Sequence, residues 1–228
     1  MRSALLVSFA LLACSRASGE PKPHGPIVVE LFTSQGCSSC PPADRLLGQL
    51  AADDRIAPLS FHVDYWDELG WPDPYAKPAW TQRQRVYARA LGDDRVYTPE
   101  LVVGGTVGMV GSNRSQVTAA IANAAPPAPL AATSAWKNGR LELTTTAPEG
   151  ADVWVAIYER QVSTRVPRGE NAGETLASTH VVRTLERVAA AGKRGTLSLA
   201  IDPRWKDVGA IAFAQRADRT IVASAVLR

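Results

Sequence analysis

The chain is 228 residues long and carries 25 Lys and Arg against 22 Asp and Glu, a formal net charge of +3. So slight a surplus leaves no footprint for nucleic acid or an acidic polymer as partner. Of its three cysteines, Cys14, Cys37 and Cys40, only the last two stand close enough in sequence to work as a pair.

Residues 1–19 read as a secretory signal. Arg2 gives a positive start, and Ala4 to Ala13 is apolar apart from Ser8. That run is too short for a permanent membrane helix. Two exits from it are open. Ala17-Ser18-Gly19 is a small-x-small cleavage site, whereas Leu11-Leu12-Ala13-Cys14 resembles a bacterial lipobox and would leave Cys14 as a lipid anchor. Removal of residues 1–19 takes away Arg2 and Arg16 and no acid, which lowers the net charge from +3 to +1. No other segment is long and apolar enough to cross a membrane. The expectation is a periplasmic or secreted chain, or a lipoprotein tethered through Cys14, in a compartment where disulfides persist.

Ile27–Phe32 is expected as a buried strand, apolar on both faces save Glu30. Pro41 to Ala51 places Ala43, Leu46, Leu47, Leu50 and Ala51 on one helical face, and prolines are tolerated in the first turn. Ile56 to Val63 is a second strand, and Leu69 to Pro78 an irregular aromatic and proline-rich insertion. Trp80 to Leu91 is a helix stopped by Gly92, with Arg83 and Arg85 expected on its exposed face. Leu101 to Val103 and Thr106 to Val110 are strands joined at Gly104-Gly105. Asn113 caps a last helix, with Val117, Ala120, Ile121 and Ala124 as its apolar face. Residues 126–130, rich in Pro and Ala, are expected as a linker between a domain at 20–125 and another at 131–228.

Beyond it, strand patterns recur at Leu141–Thr145, Asp152–Tyr158, Thr179–Val188, Gly195–Ile201, Ala210–Arg216 and Thr220–Leu227, with turn signals at Asn138-Gly139 and Glu149-Gly150. These predict a β-rich, sandwich-like accessory domain. Its most unusual loop is Arg168-Gly169-Glu170-Asn171-Ala172-Gly173, read as an ordered surface turn, as a cover for the Cys37 site or as a contact for a partner protein.

Cys37-Ser38-Ser39-Cys40 lies between the first strand and the first helix. A helix N-terminus carries roughly half a positive charge and favours a thiolate there. A four-residue ring removes little unfolded-state entropy, so thiol–disulfide chemistry accounts for the pair better than a structural staple does. The order β-α-β-α-β-β-α, the place of the Cys-x-x-Cys and Thr98-Pro99 before the third strand resemble the thioredoxin superfamily. That resemblance implies an α/β thioredoxin-like N-terminal domain and a cis Thr98–Pro99 peptide, with the Thr98 backbone facing an exposed Cys37 sulfur. The segments 33–44, 62–71, 96–99 and 168–173 together resemble an uncharacterised family of exported bacterial proteins, domain of unknown function 1223.

On this reading Cys37 is the nucleophile, Cys40 the resolving thiol, and Thr98 and Pro99 complete the site. The partner is a protein or small-molecule thiol or disulfide, and no cofactor is needed. With no cation at Ser38-Ser39, the thiolate pKa is expected in the middle of the range of about 3.5–7.5. Copper or zinc held by Cys37, Cys40 and His62 is the alternative; a non-enzymatic interaction module is a third. Asp64, Tyr65, Trp66, Asp67 and Trp71 form an acidic and aromatic patch, read either as a substrate groove or as packing of the insertion, with Asp67 satisfying backbone amides. His24 and His180 lack any neighbouring ligand or nucleophile pattern and read as structural.

Overall fold

The structure, a computed structural model, describes residues 24–227. The expected signal segment, both cleavage sites and Cys14 lie outside the described residues. The first half runs β1 (Ile27–Thr33), α1 (Pro41–Leu50), β2 (Ile56–His62), a 3-10 turn (Asp67–Leu69), α2 (Pro78–Leu91), β3 (Glu100–Val103), β4 (Val107–Val110) and α3 (Arg114–Asn123). The second half is strands throughout: β5 (Ala128–Pro129), β6 (Ala132–Lys137), β7 (Arg140–Thr146), β8 (Ala151–Arg165), β9 (Thr175–Ala189), β10 (Arg194–Ala200), β11 (Val208–Arg216) and β12 (Ile221–Leu227).

These strands do not sort into two self-contained units. Nine of them form one mixed sheet in the order β4-β3-β1-β2-β9-β8-β11-β12-β5, and β10-β7-β6 form a small second sheet. The halves join where Ser60 of β2 pairs with Val181 of β9. The sheet curls until its distant parts meet: the Ile221 amide donates to the Gly104 carbonyl at 3.0 Å, and the Gly25 amide to that of Pro127 at 2.9 Å. The expected α/β thioredoxin-like N-terminal domain with a separate sandwich-like domain is therefore corrected to a mostly β fold built on a continuous curled sheet.

Side-chain alternation along the strands explains the merger. Val28 and Phe32 of β1 and Leu59 and Phe61 of β2 point to one face, where Trp80 and Tyr87 of α2 cover them. The same apolar cluster contains Ala156 and Tyr158 of β8, Val182 of β9 and Ile211 and Phe213 of β11. Helix α2 thus lies inside the curl, covered from both halves. The opposite face of β1, with Val29 and Leu31, packs on Ala43, Leu46 and Leu47 of α1 and Val117 of α3. A third cluster places Leu141 and Leu143 of the small sheet against Val153, Val155 and Ile157 of β8.

Arg83 departs from its expected exposed position. Its side chain is only 10% exposed, donates to both carboxylate oxygens of Glu30 at 2.5 and 2.8 Å, and lies within 5.6 Å of the Phe61, Tyr87 and Phe213 ring centres. Glu30 of β1, Phe61 of β2 and Phe213 of β11 together enclose that face of the helix.

Candidate functional site

Cys37 and Cys40 form a disulfide in the turn that leaves β1, their Cα atoms 5.4 Å apart. The Cys37 amide donates to the Ser34 carbonyl and the Cys40 amide to that of Cys37, both at 3.2 Å. Cys40 is the N-cap of α1, and Pro41 and Pro42 fill the first helical positions, where an absent N–H has no partner to lose. Ser39 Oγ lies 3.3 Å from Cys37 Sγ and 3.5 Å from the Thr98 carbonyl oxygen. The Thr98–Pro99 peptide is cis. Cys37, Cys40, Thr98 and Pro99 are thus brought together.

The expected exposure of Cys37 is not found. Both cysteines are 0 % exposed, although Ser38 and Ser39 between them face solvent. The 168–173 loop, at the tip of the long β8–β9 hairpin, docks on the backbone of this turn. Asn171 Nδ2 donates to the Gln35 and Cys37 carbonyls at 2.9 and 3.0 Å, and Glu170 Oε2 accepts the Ser38 amide at 3.0 Å. Beside them Gly70 and Gly169 meet backbone to backbone. Both have positive φ, and a Cβ on Gly70 would stand 3.2 Å from the Gly169 Cα. The loop is thus an ordered, mostly exposed turn anchored through Asn171 and Glu170 to the backbone beside the cysteines.

The aromatic and acidic patch divides. Trp66 Nε1 donates to the Thr98 hydroxyl at 2.8 Å, and Trp71 Nε1 to Gln35 Oε1 at 3.1 Å, so both indoles border the disulfide turn. Asp67 accepts the Asp73 amide at 3.0 Å. Asp64 and Tyr65 instead line a separate cleft with Glu68, Thr81 and Arg85. Tyr65 donates to Gln84 Oε1, and Asp64 accepts from the Thr81 hydroxyl.

Beneath α1 lies a buried polar group that the sequence reading named only in part. The Thr33 hydroxyl donates to Asp44 Oδ2 at 3.2 Å, and Asp44 stands four residues after Cys40 on the face turned to the sheet. His62, paired in register with Thr33, has Nδ1 2.6 Å from Asp73 Oδ2. Asp73 also accepts the Gln35 and Tyr75 amides at 2.8 and 2.9 Å. Burial pushes the Asp44 carboxyl up to about 6, against the pull of His62. Burial also works against a charged His62, but Asp73 and Asp44 outweigh it and hold the imidazole above its usual pKa. Asp73 is pushed up by burial as well, yet His62 and the two amides bring it below the usual carboxylate range. Asp44 Oδ1, His62 Nε2 and Gln35 Nε2 are buried with no hydrogen-bond partner among the described residues.

His62 therefore spends one ring nitrogen on a carboxylate, and the two sulfurs are bonded to each other. Among the described residues no three His, Cys, Asp or Glu side chains are grouped to hold a metal ion. His180 Nδ1 lies 2.9 Å from the Pro58 carbonyl oxygen, at the seam between the halves.

The disulfide turn, the cis peptide and the 168–173 loop all fall within residues 28–215, the span that matches the family model of a protein of unknown function, DUF1223. The chain belongs to the DUF1223 family. Its fold is similar to the crystal structure of protein AGR_C_4864 from Agrobacterium tumefaciens, with a TM-score of 0.70 and 29% identity over 91% of this chain and 96% of that one. HBP35 of Porphyromonas gingivalis is similar in fold alone, with a TM-score of 0.62 and 15% identity over 91% of this chain and 76% of that one. No curated protein matches the DUF1223 chain.

Proposed function

We propose that this DUF1223 protein is an exported thiol–disulfide oxidoreductase whose reacting atoms are the sulfurs of Cys37 and Cys40. The observation that carries the reading is the disulfide at the start of α1, with the Thr98 carbonyl of a cis Thr98–Pro99 peptide within reach of Ser39 between the two cysteines. In the dithiol form, the Cys37 thiolate attacks one sulfur of a substrate disulfide. A mixed disulfide forms and the other substrate sulfur leaves as a thiolate. Cys40, as a thiolate, then attacks Cys37 Sγ, restores the internal disulfide and releases the second substrate thiol. The substrate gains the two electrons that the cysteine pair loses.

Access comes from the Ser38-Ser39 edge, which is exposed while the sulfurs are covered. Trp66 and Trp71 give that edge rigid apolar walls on which a peptide or small disulfide rests. The 168–173 loop has to move before a substrate sulfur reaches Cys37. Replacement of Cys37 by Ser is expected to reduce insulin or glutathione disulfide exchange to the uncatalysed rate while leaving the fold intact by circular dichroism. Unchanged turnover in that variant refutes the reading.

A further inference from the structure

We propose that Glu170 sets the redox poise of the Cys37–Cys40 pair by keeping a carboxylate on the Ser38 amide between the two sulfurs, where a Cys37 thiolate would need the positive end of α1 for itself. The inference rests on the reading of that pair as redox-active and adds a residue from the other half of the chain, 132 positions away.

Glu170 is exposed but engaged. Its Oε2 accepts the Ser38 amide at 3.0 Å, and its neighbour Asn171 is buried and fastened to the Gln35 and Cys37 carbonyls. The Ser38 hydrogen bonds hold the Glu170 carboxyl below its usual pKa, so it is an anion at neutral pH. The disulfide is neutral and sets no charge against the carboxylate. Reduction changes that. A Cys37 thiolate and the Glu170 carboxylate then crowd one helix end, and the amide that would steady the sulfur is already engaged.

The result is a higher Cys37 thiol pKa and an equilibrium biased toward the disulfide. Reciprocity requires that reduction weaken the hold of the 168–173 loop by the same factor, so reduction also loosens the loop. The other charges around the turn stay constant when residue 170 changes. His62 and Asp73 form an ion pair under α1, Asp44 lies beside them, and Arg168 is exposed on the same loop.

The test is an equilibrium titration of the purified protein in glutathione buffers, with Cys37 and Cys40 read by alkylation and the thiolate by its absorbance against pH. The reaction balances as one disulfide and two glutathione thiols giving two protein thiols and one glutathione disulfide. Glu170→Gln is expected to shift the equilibrium toward the dithiol by about three- to fivefold and to lower the Cys37 pKa in the same sense. Glu174→Gln removes a carboxylate from the same hairpin tip without touching Ser38 and is expected to stay within about twofold of the parent. A Glu170→Gln equilibrium equal to the parent, or shifted toward the disulfide, overturns the inference and leaves the exchange reaction standing. A pair that no glutathione or dithiothreitol mixture reduces in the folded chain overturns both.

Discussion

Asp44 is the residue whose environment has the clearest measurable consequence. Its carboxyl rises from an ordinary 3.8 to about 6 because burial disfavours the anion. The folded protein therefore keeps a proton that the unfolded chain has already given up. The carboxyl costs no stability below about pH 3.8, and its burden grows as the pH passes through about 6. That gap is worth about 3 kcal/mol. Asp44→Asn has no proton to lose, so its stability relative to the parent is expected to climb by about 3 kcal/mol between about pH 4 and pH 7. Urea unfolding at the two pH values checks this; a constant difference would place the Asp44 charge in water. His62 and Asp73 respond the opposite way, since their opposed shifts keep the ion pair formed across neutral pH.

Among the elements, the β8–β9 hairpin does something that its strands do not announce. Both strands are 15 residues long, far more than their packing on β2 and β11 requires, and the excess carries the 168–173 tip to the cysteines. The tip is closed on itself by Val166 and Glu174 at 2.9 Å and by Gly173 and Val166 at 2.8 Å, so it arrives as a preformed cap. Its grip is three hydrogen bonds, one of them from the Ser38 amide to the Glu170 carboxylate. Replacement of residues 168–173 by a short Gly-Ser turn is expected to accelerate reduction of the disulfide by dithiothreitol about ten- to a hundredfold. The hairpin ladder and the far-ultraviolet spectrum should be unaffected. Equal reduction rates would mean that the cysteines are reached by a path that does not pass the tip.

For the molecule as a whole, the main consequence is that α2 is shared. Arg83 and Tyr87 of this helix meet Glu30 of β1 and Gln215 of β11 in one buried network, with Gln215 Nε2 donating to the Tyr87 hydroxyl at 2.7 Å. Breaking a buried ion pair from one side typically costs about 3–5 kcal/mol, because the remaining charge is stranded. Arg83→Met is expected to destabilise the protein by that amount. Because the network crosses both halves, the loss should appear in a single unfolding transition, seen alike by fluorescence and by circular dichroism. Two separate transitions, only one of them shifted, would show that the halves melt independently.

Periodicity made most of the elements legible before any tertiary information. The helices expected at Pro41–Ala51 and Trp80–Leu91, the Asn113 cap, whose side chain accepts the Gln116 amide, and the six strands expected from Leu141 on are all present, though α2 starts at Pro78 and β8 runs on to Arg165, past its expected end at Tyr158. Their patterns depend on which side chains share a face, and that is local. The cysteine pair and Thr98-Pro99 were legible for the same reason, since each is a short motif.

What the chain order could not convey was which faces would meet. Trp80 and Tyr87 read simply as the apolar side of a helix, and nothing in their spacing says that β8 and β11 will cover them. The division into an α/β unit and a β unit failed there, because an apolar face does not name its partner. Arg83 read as exposed for the same reason, and Asp73 was missed because the irregular 69–78 stretch has no period. Glu170 and Asn171, more than 130 residues away in the chain, dock on the disulfide turn, and nothing in its local pattern names them. Sequence alone determined the chemistry available at Cys37 and Cys40. Tertiary structure decided who has access to it, because burial depends on neighbours that only folding brings near.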